Sequence, residues 1–152
     1  DRLVSFEDRA EWIREARGLI DGDARWSAVD VGRAPHAGAR MADLVRRGAL
    51  TFGGRRADLA LVDNGSSGRE RRAVVEALAD TGFTGLVVLH DVEQRSMEAA
   101  FDALVKAFGA DNVATLRPFP QRPATAVACV DHDRVVRVRD AAADSKWMEA
   151  FA

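Results

Sequence analysis

Cysteine occurs once, at Cys129, which excludes an internal disulfide and a multi-cysteine zinc site. That thiol lies in an apolar run, Ala126 to Val130, where a buried and inert side chain is expected. Lysine is nearly absent, with only Lys106 and Lys146, so arginine carries almost all the positive charge. The arginines are scattered and the net charge is -2, which gives no electrostatic reason for a nucleic-acid or anionic-membrane partner. The longest basic cluster, Arg69, Arg71 and Arg72, falls on the first turns of an expected helix and is read as a solvated face. No stretch of about 18 apolar residues exists, so no transmembrane helix is expected. No signal-peptide pattern opens the chain, and a cytoplasmic location is expected.

What is present suits one globular domain, residues 1–152. A chain of 152 residues with 47% hydrophobic and 30% charged residues can bury a substantial core. Short apolar runs alternate with amphipathic stretches. Leu3 to Phe6 reads as a strand ending at Glu7, and Asp8 with Glu11 has the capping-box spacing of a helix start. Trp12, Ala16, Leu19 and Ile20 form the apolar stripe of that helix, and Trp26 to Val31 is the next strand. Residues 33–40, with Pro35, His36 and Gly38, read as a loop. Met41, Leu44 and Val45 form a short helical stripe before Gly48.

The stretch Asp58 to Asp91 is the most informative. Leu59 to Val62 is a strand ended by Asp63, and a polar loop, Asn64 to Gly68, follows it. Ser67 and Glu70 repeat the capping-box spacing, and Val74, Val75 and Leu78 form the buried stripe of a helix. Leu86 to Leu89 is a second strand, ended by His90 and Asp91. In open parallel sheets, ligands bind outside the carboxyl ends of the strands, so both polar ends are expected to face one crevice.

The remaining chain continues the alternation. Met97 to Phe108 is a helix closed by Gly109, and Val113 to Leu116 is a strand. Pro118, Pro120 and Pro123 mark a rigid link to a strand at Thr125 to Val130, and the two strands suit an antiparallel pair at the sheet edge. Asp131 to Asp133 reads as a turn, with Val135 to Val138 returning as a hairpin strand and a last helix near Ala143 to Phe151 carrying Trp147 and Phe151. The whole pattern argues for an α/β sandwich with a mostly parallel sheet and an antiparallel last strand.

The strand-end residues suggest specific chemistry. A carboxylate at Glu7, on a strand end before a helix, suits binding of a ribose diol; it equally suits a cap or a solvated position. Asp63 and Asp91 could share a hard divalent ion such as Mg²⁺. His90 could instead act as a general base. Asp63 also suits an Asx turn, Asp91 a helix cap, and His90 a structural role.

The ordered set of strand ends resembles the class I S-adenosylmethionine-dependent methyltransferases. Leu3 to Glu7 with Trp12 is similar to that family's second strand, Trp26 to Val31 to its third, Leu59 to Gly65 to its fourth, and Gly85 to Asp91 to its fifth. The terminal His90-Asp91 resembles the small-molecule and glycan O-methyltransferases. The resemblance implies a Rossmann-like three-layer fold and transfer of a methyl group to a small-molecule or sugar hydroxyl. It implies S-adenosylmethionine held by Glu7, Asp8, Asp63 and Asn64, with Mg²⁺ at Asp63 and Asp91. His90, Asp91 and Asp63 would carry the chemistry, and a homo-oligomer is compatible with it. One departure stands out: the family's first strand and its glycine-rich turn have no counterpart from Asp1 onward, so the domain is expected to be incomplete at its N-terminus. Two alternatives stay open. The Asn64 to Gly68 loop could be the anion site of a phosphate-binding α/β enzyme, or the chain could be a non-catalytic Rossmann-like module.

Overall fold

Short apolar runs of period two and apolar stripes of period 3.6 sort the chain into alternating strands and helices. The computed structural model describes residues 3–7, 9–19, 26–32, 36–52, 54–63, 67–117 and 124–143. In order, these form β1 (Leu3–Glu7), α1 (Ala10–Leu19), β2 (Trp26–Asp30) and α2 (Ala37–Arg46). A small hairpin follows, β3 (Thr51–Phe52) and β4 (Arg55–Arg56), then β5 (Leu59–Val62), α3 (Gly68–Asp80) and β6 (Leu86–His90). The chain continues with α4 (Glu98–Phe108), β7 (Val113–Leu116), β8 (Thr125–Ala128) and α5 (His132–Ala143). Asp8, Asn64, the Pro118–Pro123 link and the Trp147–Phe151 helix lie outside the described residues.

β1 and β2 pair in parallel, from Leu3 opposite Trp26 to Glu7 opposite Asp30. The larger sheet has the order β5-β6-β8-β7. β5 and β6 run parallel, and β8 is antiparallel to both of its neighbours. The antiparallel β7–β8 pair expected from the proline-rich link is present, but β8 lies inside the sheet and of this pair only β7 is at an edge. Composition accounts for this: Ala126, Val127 and Ala128 are buried on both faces, as an interior strand requires, whereas β7 is half-buried.

Two cores sandwich this sheet. On one face, Val62, Val87, Leu89, Ala126 and Ala128 pack against Met41 and Val45 of α2, Val75 and Leu78 of α3, and Ala100 and Leu104 of α4. On the other, Leu86, Val127 and Cys129 pack against Val135 of α5. Cys129 is buried, as its apolar run predicts. Val135 to Val138 is therefore helix, not a returning strand. The Asp131 carboxylate accepts the backbone N–H of Arg134 and caps the helix, while Val135 and Val138, three apart, both face the second core.

α1 also departs from its expected stripe. Ile13 is its buried residue, whereas Trp12 is exposed beneath the Arg9 guanidinium and Leu19 faces solvent. Among the described elements α1 lies against β1 and β2, a surface too small to cover a full helical stripe. Leu59 and Leu61 are likewise exposed, at 55% and 64%, because no described element covers that face of β5. Among the described residues no helix is long and apolar enough to cross a membrane.

Candidate active site at the strand ends

The helices that bring the strand ends together are sharply delimited. Ser67, extended at φ -135° and ψ 143°, accepts the N–H of Glu70 on its side chain and starts α3. Gly82, at φ +63°, stops it: the N–H of Gly82 donates to Ala79 and that of Phe83 to Leu78, the bonding pattern of a Schellman motif. The spacing of Ser67 and Glu70 predicts a reciprocal capping box, and only half of it forms at α3. The Glu70 carboxylate turns away and accepts the backbone N–H of Gly38, at 2.6 Å, in the first turn of α2. A negative charge there satisfies an orphan donor and complements the helix dipole. A Cβ at Gly38 would overlap the Glu70 backbone, so the absent side chain is what lets the two helix starts touch. α2 begins at Ala37, inside the stretch read from sequence as loop.

That joint sets the starts of α2 and α3 side by side. α2 follows the β1–β2 pair, and its Arg40 guanidinium lies over Gly32 just beyond β2. α3 starts next to the ends of β5 and β6. At the first pair, Glu7 is half-buried and its carboxylate accepts the Ser5 hydroxyl, while Asp30 accepts the N–H of Gly32 at 2.8 Å.

At the second pair, three of the residues singled out from sequence converge. The parallel register sets Val62 opposite Leu89, and one further step sets Asp63 beside His90. His90 Nδ1 lies 3.4 Å from Asp63 Oδ1 and 3.2 Å from Asp91 Oδ1. Neither contact has hydrogen-bond geometry, so this buried nitrogen sits among carboxylates without a hydrogen-bond partner. Asp91 reaches its position through a left-handed backbone, φ +60°, a conformation that aspartate tolerates better than most residues. One donor atom from each of Asp63, His90 and Asp91 lies within 4.8 Å of the others.

Sequence reasoning missed the fourth member. Arg71 of α3 is 3% exposed, not on a solvated face. Its Nη1 donates to the His90 carbonyl at 2.6 Å, and its Nη2 donates to Asp63 Oδ1 at 2.9 Å. The same Nη2 lies 3.6 Å from Asp91 Oδ2. One guanidinium thus ties together the ends of two strands and the turn after them. The signal was present: Arg71 stands three, four and seven residues before Val74, Val75 and Leu78, on the buried stripe of α3. A charged residue in that register needs an internal partner, and the strand-end carboxylates supply it.

The chain superimposes on the apo structure of CalS11, a TDP-rhamnose 3'-O-methyltransferase of calicheamicin biosynthesis, with a TM-score of 0.55 at 17% identity. The likeness shows a shared α/β fold. It covers 84% of this chain and 57% of that one, so this chain spans little more than half of the neighbour's length. No family model matches the sequence, and no curated protein matches it with significance.

Both groups implied by the resemblance can be tested against the residues. Glu7 fits a ribose diol in kind: its carboxylate stands at a strand end, with one oxygen engaged by Ser5. Asp63, His90 and Asp91 match a divalent ion in donor type. They do not match it in charge, because the Arg71 guanidinium already lies on both carboxylates.

Proposed function

We propose that this chain is the catalytic part of an S-adenosylmethionine-dependent O-methyltransferase acting on a small-molecule or sugar hydroxyl. It would have a Rossmann-like layered fold and work in the cytoplasm. The observation that carries the reading is the convergence of Asp63, His90 and Asp91 at two adjacent parallel strand ends. The α/β fold it shares with a TDP-rhamnose 3'-O-methyltransferase supports it.

Glu7, with Asp8 and Asn64, would hold the cofactor's ribose, and Asp63 would border its site. Bound S-adenosylmethionine would supply an electrophilic methyl group on sulfur. His90 accepts the proton of the acceptor hydroxyl as the oxygen attacks. Its half-exposed ring gives access to substrate, and the flanking carboxylates of Asp63 and Asp91 stabilise the imidazolium that forms. In-line displacement depends on alignment, so a cluster fixed by a buried arginine suits it.

Calorimetric titration with S-adenosylmethionine and its demethylated product tests this reading. Saturable binding, weakened by Glu7→Gln, is expected; no detectable heat with either compound would sink it. The exposed Leu59 and Leu61 favour a second reading, a non-catalytic module that joins a further element or a second copy of the chain through the outer face of β5. Sedimentation of the Leu59→Ser/Leu61→Ser double variant separates the two: the module reading expects a smaller assembly than the native one and no cofactor binding by either.

A further inference from the structure

We propose that the Arg71 guanidinium is the resident cation of the Asp63–His90–Asp91 cluster, and that the cluster therefore works without a divalent metal. The same three residues serve the proposed function, but this inference rests on their geometry and holds for any chemistry they perform. A hard ion bound to Asp63 Oδ1 would sit about 2.1 Å from that oxygen. Arg71 Nη2 is 2.9 Å from the same atom. The ion would therefore lie within about 5 Å of a fixed positive charge, where two like charges repel strongly in a site of lowered dielectric.

The guanidinium cannot easily yield. It is buried, and Nη1 is anchored to the His90 carbonyl, so displacing it would break that bond and strand a charge inside the protein. It already performs two tasks of a bridging metal. It neutralises carboxylates from two strand ends, and it fixes their orientation on either side of His90. A planar fork with several donors can do this where an ammonium, a point charge, cannot reach all three acceptors at once. Arg71 is thus a positioning residue, acting through Asp63 and Asp91 on His90.

The test is a titration with Mn²⁺ alone, followed by electron paramagnetic resonance, with no cofactor or acceptor present. Its outcome is independent of whether the protein transfers methyl groups. The native protein is expected to show no site tighter than about 1 mM. Arg71→Ala and Arg71→Met, checked by circular dichroism to be folded, are expected to gain one site at least about tenfold tighter. Adding Asp63→Asn to either variant should abolish that site, and Arg71→Lys should restore exclusion of the metal in part. A merely structural arginine would give no metal site on removal. Mn²⁺ binding by the native protein that disappears in Asp63→Asn or Asp91→Asn would overturn the proposal. So would a folded Arg71→Ala or Arg71→Met protein that gains no site. If neither variant folds, the native titration with its Asp63→Asn control still decides.

Discussion

The two pairs of parallel strand ends are built on different principles. At β1–β2, the acidic groups are held by near neighbours: Glu7 by Ser5 two residues away, Asp30 by the N–H of Gly32. At β5–β6, Asp63, His90 and Asp91 are held by Arg71, which arrives from the next helix and is buried. Local bonds leave a carboxylate free to adjust to a ligand. A buried long-range clamp fixes a constellation before any ligand arrives. The first suits binding, and the second suits chemistry that depends on geometry.

Removing the clamp is expected to have the largest effect on stability. Arg71→Ala should lower stability by about 3 kcal/mol, because it leaves two carboxylates at a partly buried site without the guanidinium that neutralises them. Asp63 is half-exposed, which keeps the loss at the lower end of the range for broken buried pairs. Chemical denaturation checks this, and a loss under about 1 kcal/mol would show that the clamp contributes little. Gly68→Ala comes next. A Cβ there would overlap the Ser96 carbonyl, so α3 and the turn before α4 must part, at about 2 kcal/mol. The expected readout is a lower denaturation midpoint with an unchanged slope.

Ser67→Ala removes the cap that starts α3 and should destabilise by about 1 kcal/mol. A thermal melt measures it, and coupling with Arg71→Ala in a double-mutant cycle would show that cap and clamp act as one unit. Glu7→Gln is expected to leave stability within about 0.5 kcal/mol, since its bond to Ser5 survives as a neutral one. Its effect should fall on cofactor affinity instead, at about tenfold, measured by calorimetry. If Glu7→Gln proved as destabilising as Arg71→Ala, the contrast between an adjustable end and a fixed end would fail.

Much of the architecture was legible in the chain. The strands Leu3–Glu7, Leu59–Val62 and Leu86–His90 stand where their apolar runs predict, and α3 and α4 follow their stripes. Other features could not be read locally. A stripe such as Val135 to Val138 serves strand or helix equally until Asp131 is seen to cap it. The α1 stripe assumed a full partner surface, but the described neighbours bury only Ile13. Glu70 looked like half of a local capping box, but a stronger acceptor role awaited it at Gly38, which is distant in sequence and near in space.

The sequence by itself determined most of the strands and helices and that Asp63, His90 and Asp91 stand at or just beyond strand ends, because periodicity and chain breakers act over a few residues. Only the tertiary structure decided what those residues meet. It set β8 between β6 and β7, brought α2 onto α3 through Gly38, and turned Arg71 from an apparent surface charge into the centre of the site. The physical reason is that a buried charge is tolerated only with its partners, and those partners lie on other elements.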